Sequence, residues 1–223
     1  MWVKVCGVRD RETAIKIAEL GADAVGLNFY SRSPRCINAD VAFRISQSLP
    51  DNVECVGVFV NHPIRDIEQI ATKCQLDAVQ LHGDEPPSYL ADLQKRLPGI
   101  RLIRAWRMGK ERLTGLDSYL NECKHWKCNV AGCLVDAHVD GMYGGSGRTV
   151  PWERLAREYD DTNWPSLILA GGLTVANVAE AIALVQPWGI DVASGVESSP
   201  GVKDLDLVEQ FLRNAKKLPE ETI

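Results

Sequence analysis

The feature that most constrains this chain is a regular alternation of two apolar patterns. Short runs rich in β-branched residues alternate with stretches of helical apolar spacing, and the pair recurs about every 25–30 residues. The short runs predict eight strands, at Trp2–Cys6, Ala24–Phe29, Val53–Phe59, Ala78–Leu81, Arg101–Trp106, Gly132–Asp136, Ser166–Ala170 and Gly189–Val192. The longer stretches predict helices at Arg11–Leu20, Val41–Leu49, Ile64–Lys73, Ser88–Leu97, Thr114–Cys128, Trp152–Glu158, Val175–Val185 and about Leu205–Lys217.

Local signals mark the ends of some of these helices. Asp10 and Thr174 stand just before helical stretches and are residues that commonly cap helix N-termini. Gly21 stands where the first helix should end.

The order of the elements predicts how they pack. Strict β-then-α alternation is typical of a parallel sheet covered by helices. An open, doubly wound sheet is the structural alternative, but the turn after the first strand reads CGVRD and lacks the GxGxxG pattern. We therefore predict an α/β fold, a (β/α)₈ TIM barrel. No Pro/Ser-rich linker divides the chain, so residues 1–223 are expected to form a single domain.

Composition and charge exclude several classes of partner. The formal net charge is −5 and no basic stripe is present, which disfavours nucleic acid and anionic membranes as partners. No apolar run is long enough to span a bilayer, and the opening MWVKVCGVRD lacks a signal-peptide pattern. Seven cysteines without paired spacing indicate reduced thiols, and we expect a cytoplasmic protein.

Reactive and flexible residues follow most of the predicted strands. In a parallel barrel the active site forms at the C-terminal ends of the strands. The residues found there in this chain are Cys6, Arg35, Asn61, His82, Asp136, the pair Gly171–Gly172 and the pair Ser194–Gly195.

The loops after the last two strands predict a phosphate site. LILAGGLTVANV places Gly171 and Gly172 between a strand and a helix, and GIDVASGVE places Ser194 and Gly195 similarly. Glycines let backbone N–H groups approach an anion, and these two loops of the fold often hold phosphate. Tight turns without a ligand are the alternative.

The loop after the sixth strand, Ala137–Val150, is long and contains Gly141, Gly144, Gly145 and Gly147. This composition predicts a lid that excludes water from a bound substrate, the alternative being a disordered surface loop.

Seven segments in order carry a resemblance to a known family. KVCGVRD, GLNFYSRSPR, VGVFVN, VQLHGDE, LVDA with YGGSGRTVPW, LAGGL, and DVASGVE with PGVKD resemble the motif series of the phosphoribosylanthranilate isomerases, from residue 4 to about residue 204. The resemblance implies a TIM-barrel enzyme of tryptophan biosynthesis that needs no metal or organic cofactor. Its reaction would be the Amadori rearrangement of N-(5-phosphoribosyl)anthranilate to 1-(2-carboxyphenylamino)-1-deoxyribulose 5-phosphate.

By position in these motifs, Cys6 would be the general base, Asp136 the general acid, and Arg35 the ligand of the anthranilate carboxylate. Taken alone, Cys6 reads more readily as an inert buried thiol and Asp136 as a loop carboxylate. A thiol with a pKa of about 8.5 is a poor base at neutral pH unless its thiolate is stabilised. Asp136 must hold a proton at neutral pH, which requires burial or a nearby negative charge.

Four further residues have open roles at this point. Arg32 competes with Arg35 for the carboxylate, and either is otherwise a surface arginine. Asp191 contacts substrate or orients Cys6, or else pairs with Lys4, which shares the barrel-facing side of its strand with Cys6. His82 lines the pocket or is an ordinary hydrogen-bonded loop histidine.

The chain departs from the family pattern at a few positions. Cys36 stands where relatives often have an aromatic residue, and Arg148 replaces a common lysine. Ala170 and Ala193 replace common serines, so side-chain hydroxyl contacts to phosphate are lost there while backbone donors remain.

Other functions need other residues. An indole-glycerol-phosphate synthase or a Schiff-base aldolase needs a lysine at a strand end, and only Lys4 lies on a predicted strand. A metal-dependent epimerase needs a His/Asp cluster, and the four histidines show no ligand spacing, so no metal is expected. A non-catalytic ligand-binding barrel is the remaining alternative. The expected partner is a small phosphorylated substrate, and the chain is expected to be a monomer or a homodimer.

Overall fold

The computed structural model describes residues 1–108, 113, 115–137 and 150–216. Eight parallel strands form one closed barrel, in which each strand pairs with its neighbours in sequence and the eighth pairs with the first. They are β1 (Trp2–Cys6), β2 (Ala24–Asn28), β3 (Glu54–Phe59), β4 (Ala78–Leu81), β5 (Arg101–Met108), β6 (Gly132–Ala137), β7 (Ser166–Leu169) and β8 (Gly189–Val192). The predicted TIM barrel is confirmed.

Helices cover the outside of the barrel. They are α1 (Arg11–Glu19), α2 (Ala39–Ser46), α3 (Ile64–Cys74), α4 (Pro87–Arg96), α5 (Leu116–His125), α6 (Trp152–Glu158), α7 (Val178–Val185) and α8 (Leu205–Lys216). Asp10 caps α1 as predicted, because its side chain accepts a hydrogen bond from the N–H of Thr13 at 2.9 Å. Gly21 has φ of +95° just beyond α1, the left-handed conformation expected after a helix end.

The predicted start of α7 is wrong. The helix begins at Val178, not at Val175, and Thr174 does not cap it. The side-chain oxygen of Asn177 accepts from the N–H of Thr174 at 2.8 Å, and its amide nitrogen donates to the carbonyl of Gly172 at 3.0 Å. These bonds hold residues 174–177 in a turn, so the first helical turn forms later than the apolar spacing indicates.

A hairpin that was not predicted follows β8. A single turn of 3-10 helix (Ser194–Val196) leads into two short antiparallel strands, β9 (Glu197–Ser199) and β10 (Val202–Lys203), before α8. Strands of three and two residues carry too few alternating positions to be recognised by periodicity.

The core has two layers. Apolar side chains that include Val56, Ile103, Leu134 and Ile168 fill the barrel interior, and a larger apolar cluster fills the space between strands and helices. The interior also holds a charge, because Lys4 is fully buried and its Nζ lies 2.7 Å from Asp191 Oδ1. Of the alternatives left open for Asp191, the pairing with Lys4 is therefore present in the structure.

The loops after β7 and β8 meet at a glycine. A Cβ placed on Gly195 would lie 1.8 Å from the carbonyl oxygen of Leu173, so only glycine fits without backbone movement. This contact holds the two loops side by side at the C-terminal end of the barrel.

We expect Gly195→Ala to lower the free energy of unfolding by about 3 kcal/mol, because the new methyl group overpacks against backbone that cannot rotate away. Gly99→Ala is the control: its φ is +94° but nothing lies within 4 Å of the added Cβ, so only the backbone cost of about 1–2 kcal/mol applies. Denaturant unfolding of both variants measures the difference. A loss for Gly195→Ala no larger than that of the control would contradict the assignment of this close contact.

Candidate active site

A cavity of about 580 Å³ opens at the C-terminal ends of the strands. Most of the predicted site residues line it, namely Cys6, Arg35, His82, Asp136, Gly171, Gly172, Asp191 and Ser194. Arg32 and Gln80 line it as well. The thiol, the carboxyls and the glycine loops, predicted from separate strand ends, therefore share one site.

Two of the predicted rim residues have structural contacts instead. Gly195 packs on the carbonyl of Leu173 as described above. Asn61 lies in the loop after β3, where its N–H donates to Glu85 at 2.7 Å and its side-chain oxygen accepts from the N–H of Asp84 at 2.8 Å. Asn61 therefore joins two loops and does not line the cavity.

Cys6 ends β1 at the floor of the cavity and is 7% exposed. Gly26 lies beside it on β2, and a Cβ there would come within 2.7 Å of Cys6 Sγ, so glycine makes room for the thiol. Burial raises the pKa of the Cys6 thiol, the charge of Lys4 opposes this, and the charge of Asp191 adds to it. In the free protein Cys6 is therefore a protonated thiol next to a cation that can stabilise its thiolate.

Lys4 keeps its charge despite full burial. Burial alone would lower its pKa, but the carboxylate of Asp191 and the neighbouring Cys6 more than offset this, and the pKa of Lys4 lies above its ordinary value. A permanent cation thus lies below the thiol, on the same face of β1.

His82 connects Asp136 to a residue that was not predicted. His82 Nε2 lies 3.5 Å from Asp136 Oδ2, and His82 Nδ1 lies 2.9 Å from Gln80 Nε2. All three side chains are at least nine-tenths buried. Gln80 is the polar residue in the otherwise apolar strand AVQL, and that exception was the available sequence signal.

Arg35 is held by a buried carboxylate. Its Nε and Nη2 each donate to a different oxygen of Glu197 on β9, both at 2.7 Å, and Lys203 on β10 donates to the same carboxylate at 2.8 Å. Although burial acts in the opposite direction, these hydrogen bonds hold the pKa of Glu197 below its ordinary value. Two of the three guanidinium nitrogens are therefore used within the protein, and Nη1 lies outside the pair.

Glu197 and Lys203 were not predicted as site residues. They lie in GVE and PGVKD, segments quoted above for the family resemblance, but their partner Arg35 is 162 residues from Glu197 in sequence. Only the folded chain shows that the hairpin β9–β10 fixes the arginine.

The glycine loops present backbone donors. Gly171 and Gly172 have φ of +81° and +65°, which glycine adopts without strain. In the described part of the chain, the N–H groups of Gly171, Gly172 and Ser194 donate to no other residue. α7 begins at Val178, farther along the chain from the glycine pair than predicted.

Some predictions concern residues outside the described ranges. The lid expected at Ala137–Val150, with its four glycines, and Arg148 lie there, apart from Ala137 and Val150. Within the described ranges, no group of three His, Cys, Asp or Glu side chains is placed to hold a metal ion. No described helix is both long and apolar enough to cross a membrane.

A closed parallel barrel with a thiol, a carboxyl and glycine loops at its C-terminal end places the chain among the (β/α)₈ barrel proteins, whose loops after the seventh and eighth strands often hold phosphate. Comparison with known proteins narrows the class. The family model of N-(5'-phosphoribosyl)anthranilate (PRA) isomerase matches residues 3–214. The chain therefore belongs to the PRA isomerase family.

Relatives that carry the name of this family align with the chain over nearly their whole length. The N-(5'-phosphoribosyl)anthranilate isomerases of Trichlorobacter lovleyi and Geobacter metallireducens are 44% and 42% identical, each over 96% of this chain and 98% of the relative. The crystal structure of phosphoribosyl anthranilate isomerase from Thermotoga maritima matches with a TM-score of 0.84 and 38% identity, over 98% of this chain and all of that one.

Another solved phosphoribosyl anthranilate isomerase holds reduced 1-(o-carboxyphenylamino)-1-deoxyribulose 5-phosphate. It matches with a TM-score of 0.79 and 36% identity, over 98% of this chain and all of that one.

We expect Asp191→Asn to move the ionisation of Cys6 to lower pH. Asp191 is negative and disfavours the thiolate, so its removal lowers the pKa of Cys6 and leaves Lys4 closest to the thiol. The rate of Cys6 alkylation by iodoacetamide against pH, followed by peptide mass spectrometry, measures this. In the unmodified protein the inflection should lie above the ordinary thiol value of about 8.5.

Asp92→Asn, on the exposed face of α4, is the matched control and should leave the profile of Cys6 unchanged. Circular dichroism checks that each variant is folded. An inflection in Asp191→Asn at the same or a higher pH than in the unmodified protein would contradict the electrostatic account.

Proposed function

We propose that this protein catalyses the Amadori rearrangement of N-(5'-phosphoribosyl)anthranilate to 1-(2-carboxyphenylamino)-1-deoxyribulose 5-phosphate, a step of tryptophan biosynthesis. The observation that carries the proposal is the shared cavity: a buried thiol, a buried carboxyl and backbone N–H groups that have no partner among the described residues lie together in a chain of the PRA isomerase family. A related enzyme has been solved with a reduced form of the corresponding product.

In the proposed reaction Asp136 protonates the ring oxygen of the ribose. The C1–O bond breaks, the ring opens, and the nitrogen lone pair forms the C1=N bond of a protonated Schiff base. The cationic nitrogen then acidifies the proton at C2, which Cys6 removes as thiolate. The C2–H electron pair forms the C1=C2 bond, and the π pair of C1=N moves to nitrogen, which gives an enol. The enol becomes the ketone of the product as its O–H proton leaves and C1 takes up a proton.

The proposed role of Cys6 has a specific electrostatic requirement. Burial makes its thiolate scarce in the free protein, so the thiolate must form where positive charge is present. Lys4 supplies a fixed positive charge from below, and the protonated Schiff base adds a second one during the reaction. A thiolate of raised pKa is also a stronger base once formed.

We assign the substrate groups to three parts of the cavity. The phosphate is bound by the N–H groups of Gly171, Gly172 and Ser194, with Gly195 holding the two loops together. The anthranilate carboxylate is bound by Nη1 of Arg35, with Arg32 at the same cavity as the second candidate. His82 and Asp191 line the part of the cavity that receives the ribose; Asp191 Oδ1 pairs with Lys4, so the other oxygen is the one proposed to meet a hydroxyl.

The proposal extends to the domain organisation, cofactor requirement and oligomeric state of the protein. Residues 1–223 form one catalytic domain that requires no metal or organic cofactor and acts in the cytoplasm on a small phosphorylated substrate, not on nucleic acid. It is a monomer or a homodimer. A crystal structure of monomers generated from the dimeric phosphoribosylanthranilate isomerase of Thermotoga maritima matches this chain with a TM-score of 0.79, so both forms are described for that enzyme.

The contacts of the two buried lysines, Lys4 and Lys203, argue against a mechanism in which a lysine forms a Schiff base with the substrate. Lys4 is paired with Asp191, and Lys203 donates to Glu197 and to the carbonyl of Ala193, both at 2.8 Å. Neither is placed to attack a carbonyl group, which argues against an aldolase or a synthase of the indole-glycerol-phosphate type.

We expect the purified protein to consume freshly prepared phosphoribosylanthranilate, followed as loss of its anthranilate-type fluorescence. Cys6→Ala and Asp136→Asn should each lower kcat by about 10³-fold, since each removes one proton-transfer group. Cys55→Ala, a buried cysteine of β3 in the outer apolar layer, is the matched control and should keep near-normal activity.

Loss of fluorescence no faster than the uncatalysed rate would refute the proposed function. If the protein is active but one of the two variants retains near-normal kcat with the fold intact by circular dichroism, the role of that residue is misassigned.

A further inference from the structure

Three buried side chains lie in a row on the cavity floor: Gln80, His82 and Asp136. Gln80 and His82 are two residues apart on β4 and the position just after it, so both side chains point to the barrel interior. Gln80 Nε2 lies 2.9 Å from His82 Nδ1, and His82 Nε2 lies 3.5 Å from Asp136 Oδ2. The three side chains are 1%, 7% and 5% exposed.

The backbone around His82 is held on both sides. The N–H of His82 donates to the carbonyl of Phe59 at 2.8 Å. Arg104 donates to the carbonyl of Leu81 and to that of Gly83, at 3.0 and 3.1 Å. The imidazole therefore starts from a fixed position, and its contacts depend on which ring nitrogen carries the proton.

The contact with Gln80 selects that nitrogen. An amide NH₂ group donates, so the Nδ1 that receives it has a lone pair and the proton is on Nε2. Asp136 Oδ2 then lies 3.5 Å from the protonated Nε2, which has no hydrogen-bond partner among the described residues of the free protein. This oxygen accepts whether Asp136 is ionised or carries its proton on Oδ1.

The opposite amide orientation conflicts with the proposed role of Asp136. If Gln80 Oε1 faced Nδ1, the proton would be on Nδ1 and Nε2 would be an acceptor. Asp136 could then meet Nε2 only by donating its own proton from Oδ2, which would hold that proton on the histidine and away from the substrate.

We propose that Gln80 is a positioning residue that sets the tautomer of His82, so that His82 Nε2–H donates to Asp136 Oδ2. The role follows from the change of charge during catalysis and rests on the proposed function. When Asp136 gives its proton to the ring oxygen it becomes a carboxylate, and the donor already facing Oδ2 stabilises the new charge. The 3.5 Å separation in the free protein shortens at that moment, since catalytic hydrogen bonds commonly tighten only in the reacting complex.

The same arrangement leaves one acceptor for the substrate. Gln80 Oε1 is buried and has no hydrogen-bond partner among the described residues. Because Gln80 lines the cavity, this oxygen is available to a hydroxyl or N–H group of the bound aminosugar. Gln80 therefore connects substrate binding to the position of His82.

The tautomer can be read without any activity measurement. In ¹⁵N-labelled protein at neutral pH, long-range ¹H–¹⁵N correlation distinguishes Nε2–H from Nδ1–H, and His82→Asn identifies the signals of His82 among the four histidines. We expect the Nε2–H form in the unmodified protein. In Gln80→Glu the carboxylate accepts a proton from Nδ1, and the signal should change to the Nδ1-protonated form.

The kcat values of two variants then test the role of Gln80 in catalysis. Gln80→Leu and Gln80→Glu should lower kcat by about 10- to 100-fold, the loss typical when a residue that orients an imidazole is replaced. Gln69→Leu, an exposed glutamine on α3, is the control and should leave kcat and the His82 signals unchanged. Thermal unfolding shows whether Gln80→Leu is folded, and the near-isosteric Gln80→Glu tests the idea if it is not.

An Nδ1–H form in the unmodified protein would overturn the inference, as would an unchanged tautomer and kcat in both Gln80 variants. These results differ from a failure of the proposed function. A protein with the expected tautomer and no isomerase activity would refute the function and the catalytic role of the chain, whereas an active isomerase with the other tautomer would refute this inference alone.

Discussion

The pairing of β1 with β8 is the interaction on which the rest of the structure depends. It closes the sheet, and in its register Lys4 lies opposite Asp191. Closure brings the C-terminal ends of all strands to one rim, so residues that are far apart in sequence become neighbours there. The same register puts an ammonium group inside the barrel, directly below the thiol that ends β1.

A charge pair in the interior is costly and needs a function to explain it. Burying two ions loses hydration that their attraction only partly restores, and apolar residues of similar volume are often as stable or more so. Here the pair gives Cys6 a neighbour that cannot easily lose its charge, because Asp191 keeps Lys4 protonated. Asp191 acts on the thiol in two ways, because it supports the charge of Lys4 while its own charge directly disfavours the thiolate.

The sequence predicted most of the fold because the barrel strands have an unambiguous pattern. Runs such as AVGLN and SLIL are apolar at nearly every position, as expected for strands buried on both faces, and their ends were placed within about two residues. The prediction failed where side chains decide the backbone. Asn177 holds a turn that delays α7, and two- and three-residue strands after β8 have no detectable period.

Most residues that line the cavity were also predictable, whereas three residues that hold them, Glu197, Lys203 and Gln80, were not. Cys6 and Asp136 were recognised because chemically unusual side chains at strand ends stand out and match family motifs. Glu197, by contrast, meets Arg35 only in the folded chain, and Gln80 was marked only as a polar residue in an otherwise apolar strand. Single-sequence reasoning finds chemical types and positions, but it does not find pairs whose members meet only after the barrel closes.

These supporting contacts share one physical logic. Arg35 is held by Glu197, which in turn accepts from Lys203, Lys4 is held by Asp191, and His82 by Gln80, each within hydrogen-bond distance before any substrate is bound. Groups oriented in advance need little reorganisation when charge develops, and that saved reorganisation is a principal source of catalytic rate. Because Glu197 and Asp191 are remote in sequence from Arg35 and Lys4, which they hold, the site depends on the closed barrel as a whole.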